Sequence, residues 1–192
     1  MELKRIALAS ALIMAGSLPF AAHAESNVTT GGGSISASAR VNFSIDIPRF
    51  IFLRVGTGTE RGTNATVDTI SFTPPLTALG DGTPVSATLA SGDLGTGKVT
   101  VRILGNAGNV SLAAAAPANL VNADSDTIPW TQISTAVTGG ATHPTINGGG
   151  TTFTATGKVV NVSGDWTYTY LNSVIPAGGT YTGTVTYTAT TP

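Results

Sequence analysis

Residues 180–190, Thr-Tyr-Thr-Gly-Thr-Val-Thr-Tyr-Thr-Ala-Thr, carry a threonine at every second position and mostly apolar residues between the threonines. Successive side chains of a β-strand point to opposite faces of a sheet, so a period of two indicates a strand. The pattern predicts that Val185 and Tyr187 point into a core while the threonines cover the outer face. We therefore expect a half-buried strand at residues 181–189.

A second segment with alternating apolar and polar residues lies at residues 35–47. Apolar or small residues occupy every second position of residues 35–47: Ile35, Ala37, Ala39, Val41, Phe43, Ile45 and Ile47. This pattern predicts a half-buried strand of thirteen residues, which is longer than the usual five or six. Pro48 lacks a backbone donor and should stop or bend that strand. The denser apolar run at residues 50–55, broken only by Arg54, predicts an interior strand.

Short strand patterns between Gly and Pro turn signals fill the rest of the chain. We expect strands near residues 67–72, 85–89, 99–103, 109–113, 130–137, 153–162 and 166–171. Helical patterns are nearly absent beyond the N-terminus, because the one Ala-rich stretch contains Pro117. The sequence thus predicts an all-β fold, namely an immunoglobulin-like β-sandwich with about eight to ten short strands.

The N-terminus has the order of a secretory signal peptide: Lys4 and Arg5, an apolar stretch at residues 6–18, and the small-residue cleavage site Ala22-His23-Ala24. That stretch is shorter than the roughly 20 residues of a membrane-spanning helix. We expect residues 1–24 to be removed, which leaves no membrane span. Residues 25–34 should then form a flexible arm, and residues 35–192 one β-sandwich domain. The chain has no cysteine, so its stability must come from packing.

Charge and residue types exclude several classes of function. Residues 25–192 contain seven basic and nine acidic residues, a balance that argues against a nucleic-acid surface. Residues 25–192 contain one histidine, His143, and no cysteine, which excludes multi-histidine zinc sites and Cys–His nucleophiles. We find no recognisable catalytic set, so the prediction is a non-enzymatic protein with no catalytic residue, cofactor or metal, in which His143 is a loop residue.

Two motifs resemble ligand-binding loops. Residues 92–98 match most of a phosphate-binding loop, but Val99 replaces the magnesium-binding hydroxyl and a strand pattern follows instead of a helix. We interpret this motif as a hairpin turn. Asn122, Asp124 and Asp126 have the spacing of calcium ligands without the later EF-hand ligands. A solvated acidic loop is favoured there, and a looser calcium site stays open.

Aromatic residues suggest one further alternative. Trp166, Tyr168 and Tyr170 share one side of a predicted strand, and an exposed strip of that kind could stack on sugar rings. Their neighbours Asp165 and Thr167 are polar, so the aromatic side is more simply the core face. Trp130, which follows a proline, is interpreted as a core residue under a loop.

By its plan, the chain resembles the cysteine-free pilus subunits of Gram-negative bacteria that the chaperone–usher route assembles, of the archaic and alpha types. The shared features are a signal peptide, a short arm, a Thr/Gly/Asn-rich sandwich pattern and a final alternating strand after Pro176-Ala177-Gly178-Gly179. In that family a glycine stands fourteen residues from the C-terminus and an aromatic residue lies near the end, positions that Gly179 and Tyr187 match. Tyr187 departs from the pattern, because it is sixth from the end rather than second.

The resemblance implies a structural subunit of a surface pilus or fimbria, exported through the inner membrane and the periplasm. It implies a sandwich that lacks one strand, completed first by a periplasmic chaperone, before an outer-membrane usher, and then by the arm of another copy. The chain would therefore form a homopolymer. The residues implied in assembly are Ile35, Ala37, Ala39 and Val41 on the donor and Gly179, Tyr181, Val185 and Tyr187 on the acceptor. The competing class is a monomeric, secreted carbohydrate-binding or adhesive β-sandwich module.

The predicted cleavage site can be checked directly. Expression of the full chain in a bacterium should yield an exported protein that begins at Glu25, because the residues before it end in Ala-His-Ala. Intact-mass spectrometry of the exported material measures this, and a product that retains Met1 would contradict the prediction.

Overall fold

The computed structural model describes residues 25–192. The predicted signal peptide, residues 1–24, lies outside the described residues. Residues Pro48–Pro192 form one compact unit, and residues 25–47 belong to a separate unit. No residue of this second segment is in a helix or strand.

The compact unit contains ten strands and two short 3₁₀ helices. The strands are β1 (Ile51–Val55), β2 (Val85–Ser86), β3 (Lys98–Gly105), β4 (Val110–Ala115), β5 (Asn119–Val121), β6 (Thr127–Pro129), β7 (Ile133–Gly139), β8 (Thr151–Phe153), β9 (Val160–Tyr170) and β10 (Thr186–Thr190). The 3₁₀ helices are Leu76–Ala78 and Trp130–Gln132. Each follows a proline, whose fixed φ suits the start of a helical turn.

All named strand pairs are antiparallel and form three sheets. The largest has β9 at its centre, with β3 and then β2 along one side and β7 along the other, while β1 pairs with the far side of β3. A second sheet has the order β10-β4-β8, and β5 pairs with β6 in a small hairpin. One isolated bridge joins Val121 of β5 to Thr182, ahead of β10.

The two larger sheets share one hydrophobic core. Alternate residues of β3 and β9 and alternate residues of β4 point inward, and Trp166 and Leu112 are completely buried. Trp166 donates its ring N–H to the carbonyl of Ala141 at 2.6 Å, so its one polar atom is satisfied. The predicted all-β sandwich class is therefore confirmed. The inward orientation of Trp166, Tyr168 and Tyr170 is also confirmed, since all three are buried.

Residues 35–47 differ most from the expectation. The predicted half-buried strand is wrong for the isolated chain, because these residues form no strand and every side chain is exposed. Phe43 is 89% exposed and Ile45 is 83% exposed. A strand needs a hydrogen-bonding neighbour as well as an apolar side, and no strand of the described chain pairs with this segment. The sandwich begins at Pro48 rather than at residue 35.

Other strands also differ from those that the sequence predicted. Residues 50–55 form an edge strand rather than an interior one, because β1 pairs only with β3. Residues 67–72 are extended but unpaired in a sheet, and the expected strand at residues 153–162 is divided by a turn between β8 and β9. Trp130 lies in a 3₁₀ helix and is only partly buried, with its ring N–H donated to the carbonyl of Pro117.

The Asn106 side chain binds the backbone immediately before β1. Asn106 donates its amide N–H to the carbonyl of Pro48 at 2.8 Å and accepts the backbone N–H of Phe50 at 2.8 Å. Arg49 donates to the carbonyl of Pro192 at 3.0 Å. These bonds fix the backbone at the start of the sandwich, immediately after the exposed segment.

Within residues 25–192, the structure contains no helix that is both long enough and apolar enough to cross a membrane.

Strand β4 provides a matched test of the core. Leu112 is fully buried while its neighbour Ser111 is exposed. Leu112→Ala should lower the free energy of unfolding by about 2–5 kcal/mol because it leaves a cavity, whereas Ser111→Ala should change it by less than about 0.5 kcal/mol. Urea unfolding monitored by tryptophan fluorescence measures both, and equal effects would contradict the inward orientation of Leu112.

Candidate functional site: the seam between β1 and β10

The two larger sheets meet along one pair of edges that no hydrogen-bond ladder joins. Strand β1 uses one edge to pair with β3, and β10 uses one edge to pair with β4. Their remaining edges face each other, with some Cα atoms of β1 and β10 within 8 Å. We call this boundary the seam and define it by β1 and residues 181–190. Among residues 25–192, no strand pairs with the facing edges of β1 and β10.

Apolar side chains of the seam are only partly covered. Leu53 and Val55 of β1 and Tyr187 and Ala189 of β10 pack against the core while remaining partly accessible. A cavity of about 240 Å³ opens beside them, lined by Leu53, Val55 and Tyr187 together with polar residues of the following loop. Unpaired backbone groups beside half-covered apolar side chains are the features that an added β-strand uses.

A small network of aromatic rings lies behind the seam. The His143 ring lies edge-on to the rings of Trp166, Tyr168 and Tyr187, with centroid distances of 4.5, 5.8 and 5.6 Å. The Tyr187 hydroxyl is 2.8 Å from His143 Nε2 and 2.8 Å from the Tyr168 hydroxyl. Strand β10 is thus tied to β9 and to the loop after β7 by one chain of hydrogen bonds.

Burial shifts the pKa of each titratable member of this network. Desolvation lowers the pKa of His143 to about 4, because the charged imidazolium loses water. Burial raises the pKa of Tyr187 to about 12, and the hydrogen bond from Tyr168 partly offsets that effect. Burial, with the nearby Tyr187, also raises the pKa of Tyr168. At neutral pH the network is therefore uncharged.

The acceptor-side residues implied in assembly lie in the compact unit, and the donor-side residues lie in the separate unit of residues 25–47. Val185 and Tyr187 lie at the seam, half-buried, while Thr184, Thr186 and Thr188 are exposed, as the alternation predicted. Tyr181 donates its hydroxyl to the carbonyl of Ala177 at 2.9 Å.

Gly179 occupies the turn before that stretch. It has φ of +145°, and a Cβ atom there would lie 2.9 Å from the amide nitrogen of Asn122. The four donor-side residues, Ile35, Ala37, Ala39 and Val41, are exposed and belong to the separate unit of residues 25–47.

Sequence reasoning missed two parts of the seam. His143 was interpreted as a loop residue, but its ring is half-buried against the core aromatics. The tie to Tyr187 spans 44 positions, and no local pattern around a lone histidine before a proline signals it. Leu53 and Val55 were recognised as apolar strand residues, although only the sheet order shows that they line an open edge.

The two ligand-like motifs are loops with internal hydrogen bonds. Asn122 turns its side-chain oxygen inward to accept the backbone N–H groups of Asp124 and Asp126, so that oxygen caps a turn. No group of three or more His, Cys, Asp or Glu side chains in residues 25–192 could hold a metal ion. Gly92, Gly95 and Gly97 have positive φ in a turn that leads directly into β3. The turn is not a hairpin, however, because β2 and β3 each pair with β9 and not with each other.

Comparison of the chain with protein-family models, with curated proteins and with solved structures finds no match.

The buried histidine predicts how stability depends on pH. In the folded protein the pKa of His143 is about 4, below the 6.5 that is usual for a histidine side chain in water. Between these values the unfolded chain binds the proton more readily, so stability should fall as pH drops from about 6.5 to 4. His143→Gln should remove on the order of 1 to 2 kcal/mol of that loss, a value reduced for partial exposure. Chemical unfolding of both proteins at pH 7 and pH 4.5 checks this, and parallel losses would contradict it.

Proposed function

We propose that the chain is an exported structural subunit that polymerises by β-strand addition, in which residues 35–47 of one copy insert into the seam of another. One observation carries the proposal: a chain with unpaired edges at β1 and β10 also has a thirteen-residue alternating apolar segment that is exposed and unpaired. Leaving Val41, Phe43, Ile45 and Ile47 in water is unfavourable, and a partner sheet would remove that cost.

The dimensions of the two elements suit each other. At about 3.3 Å per residue, thirteen residues extend for about 43 Å, whereas the five residues of β10 extend for about 17 Å. One segment is therefore long enough to follow the whole free edge of β10. Its alternate residues would face the half-buried Leu53, Val55 and Tyr187, and the polar residues between them would face solvent.

The start of the sandwich favours exchange between copies over insertion within one copy. Only residues 48–50 separate the segment from β1, and Asn106 binds the backbone of both Pro48 and Phe50. Folding the segment back beside its own β1 would require a tight reversal at these bound residues. A second copy presents the same seam without that constraint.

The resemblance to chaperone–usher pilins supports the finer form of the proposal. In that form the sandwich is immunoglobulin-like, the subunit is exported to a surface pilus or fimbria, and a periplasmic chaperone covers the seam before the usher hands the subunit on. The alternative of a carbohydrate-binding module gains no support from its aromatic strip, because Trp166, Tyr168 and Tyr170 are buried.

Alternation within the segment supplies a matched test. Phe43→Asp with Ile45→Asp places charges on the apolar side, while Asn42→Asp with Ser44→Asp places the same charges between them. Residues 25–192 of the natural sequence should form polymers, which the first pair should abolish, because a charge would be buried without a partner, and the second pair should preserve. Size exclusion and electron microscopy measure assembly.

Thermal unfolding of the non-assembling variant separates exchange from self-completion. Because Phe43 and Ile45 are exposed in the single chain, the melting temperature of the monomer should change by less than about 2 °C. A marked fall would show that the segment completes its own sandwich. A natural chain that stays monomeric at high concentration would contradict the proposed function.

A further inference from the structure

Insertion of a strand requires the seam to widen. Some Cα atoms of β1 and β10 lie within 8 Å, whereas a strand placed between two others needs about two strand spacings, roughly 9.6 Å. Both strands are edges, but Asn106 binds the backbone at the entry to β1, whereas β10 pairs with β4 alone, so we take β10 as the side that moves. Whatever ties β10 to the rest of the sandwich therefore opposes insertion.

The Tyr187 hydroxyl is such a tie, because its two partners lie outside β10 and its own sheet. Tyr168 is on β9 in the facing sheet, and His143 is on the loop after β7. Tyr187 carries one hydroxyl proton. When it donates that proton to His143 Nε2, its oxygen can accept the proton of Tyr168, and all three groups are satisfied.

Protonation of His143 reverses the direction of this chain. An imidazolium has no acceptor nitrogen, so Nε2–H can only donate to the Tyr187 oxygen. The three groups then carry three protons for two hydrogen bonds, so either Tyr187 or Tyr168, which is 8% exposed, keeps a hydroxyl proton without an acceptor in this network. An unpaired buried hydroxyl and an unpaired buried charge both favour separation of β10 from β9.

No opposite charge faces the imidazole. From β9 it contacts Trp166 and Tyr168, and from β10 it contacts Tyr187. The residues that the core presents from β3, β4 and β8 are apolar, and the buried residues of the described chain include no Asp, Glu, Lys or Arg. Arg54 lines the same cavity as Tyr187, and it is paired with Asp93 at 3.1 Å.

We propose that the hydrogen-bond chain from His143 through Tyr187 to Tyr168 is a proton-operated latch that keeps the seam closed, and that its release admits an incoming strand. The last step rests on the proposed function, whereas the opening of β10 does not. Release by acid or by loss of the Tyr187 hydroxyl should open β10 before the strands of the larger sheet.

Hydrogen exchange of residues 25–192 tests the latch without any partner. Amide protection factors of β10, corrected for intrinsic rates, should be lower than those of β3 and β9 and nearly unaffected by low urea, as local opening requires, and they should fall about threefold to tenfold between pH 7 and pH 4. Tyr187→Phe should produce the same local opening at pH 7. His143→Gln should abolish the response to acid.

Tyr170→Phe is the matched control, because it removes a tyrosine hydroxyl on β9 that has no hydrogen-bond partner among the described residues. Tyr168→Phe tests the other end of the chain if Tyr187→Phe does not fold. Unchanged protection of β10 in acid and in both latch variants would overturn the proposal. Protection of β10 equal to that of β3 and β9 at both pH values would also overturn it, because β10 would then exchange only through global unfolding.

A second measurement separates the latch from strand exchange. A fluorescent peptide of residues 33–47 is mixed with the mature chain that carries Phe43→Asp and Ile45→Asp, which cannot donate its own segment. Insertion should be about threefold to tenfold faster at pH 4 than at pH 7, with the difference removed by His143→Gln. Equal rates at both pH values would overturn the latch and leave strand exchange standing. No insertion at either pH, with β10 opening as expected, would refute strand exchange and leave the latch standing.

Discussion

A backbone N–H or C=O group that is buried needs a partner, and in the described residues the two larger sheets end at unpaired edges, of which those of β1 and β10 lie close to each other. Long β9 satisfies its groups through β3, β2 and β7. The second sheet has only three strands, so β10 remains an edge. An uncovered edge of this kind is a template for further pairing unless something blocks it.

Two sets of contacts hold the strands on either side of the seam. Full burial of Trp166 and its bond to Ala141 bring the loop after β7 down onto the core, which places His143 against Tyr187. At the other side, Asn106 fixes the entry to β1. The seam is therefore held at one wall by a backbone clamp and at the other by a hydroxyl chain. The β1 side is held by an amide side chain bound to backbone groups, whereas the β10 side is held by hydrogen bonds among tyrosine hydroxyls and an imidazole.

Period-two patterns predicted side-chain orientation well. The alternation at residues 185–189 and the polar neighbours of Trp166 indicated the correct inner faces, because burial of alternate residues is a local property of a strand. The strand expected at residues 181–189 forms only at Thr186–Thr190, and Gly183 is exposed. The same rule failed at residues 35–47, where the pattern is as regular but no strand of the described chain pairs with it. Periodicity reports what a segment can bury, and it does not report which chain supplies the partner.

Contacts between residues that are far apart in the sequence could not be predicted from it. The apolar run of β1 predicted a strand, but its place at an edge depends on sheet order, which short-range patterns do not encode. The contact between His143 and Tyr187 depends on a loop that Trp166 holds in place from a third element. Residue spacing alone contains no signal for such a contact.

The pairing of residues 35–47 with the seam of another copy is the central claim, and a cross-link between isotope-labelled chains tests it most directly. A photoreactive amino acid at position 43 is introduced into light and heavy protein, which are mixed before assembly and analysed by mass spectrometry. The account predicts mixed light–heavy cross-links from position 43 to β1 and to residues 181–190. Cross-links within single chains only, or mixed cross-links to the opposite edges at β7 or β8, would contradict it.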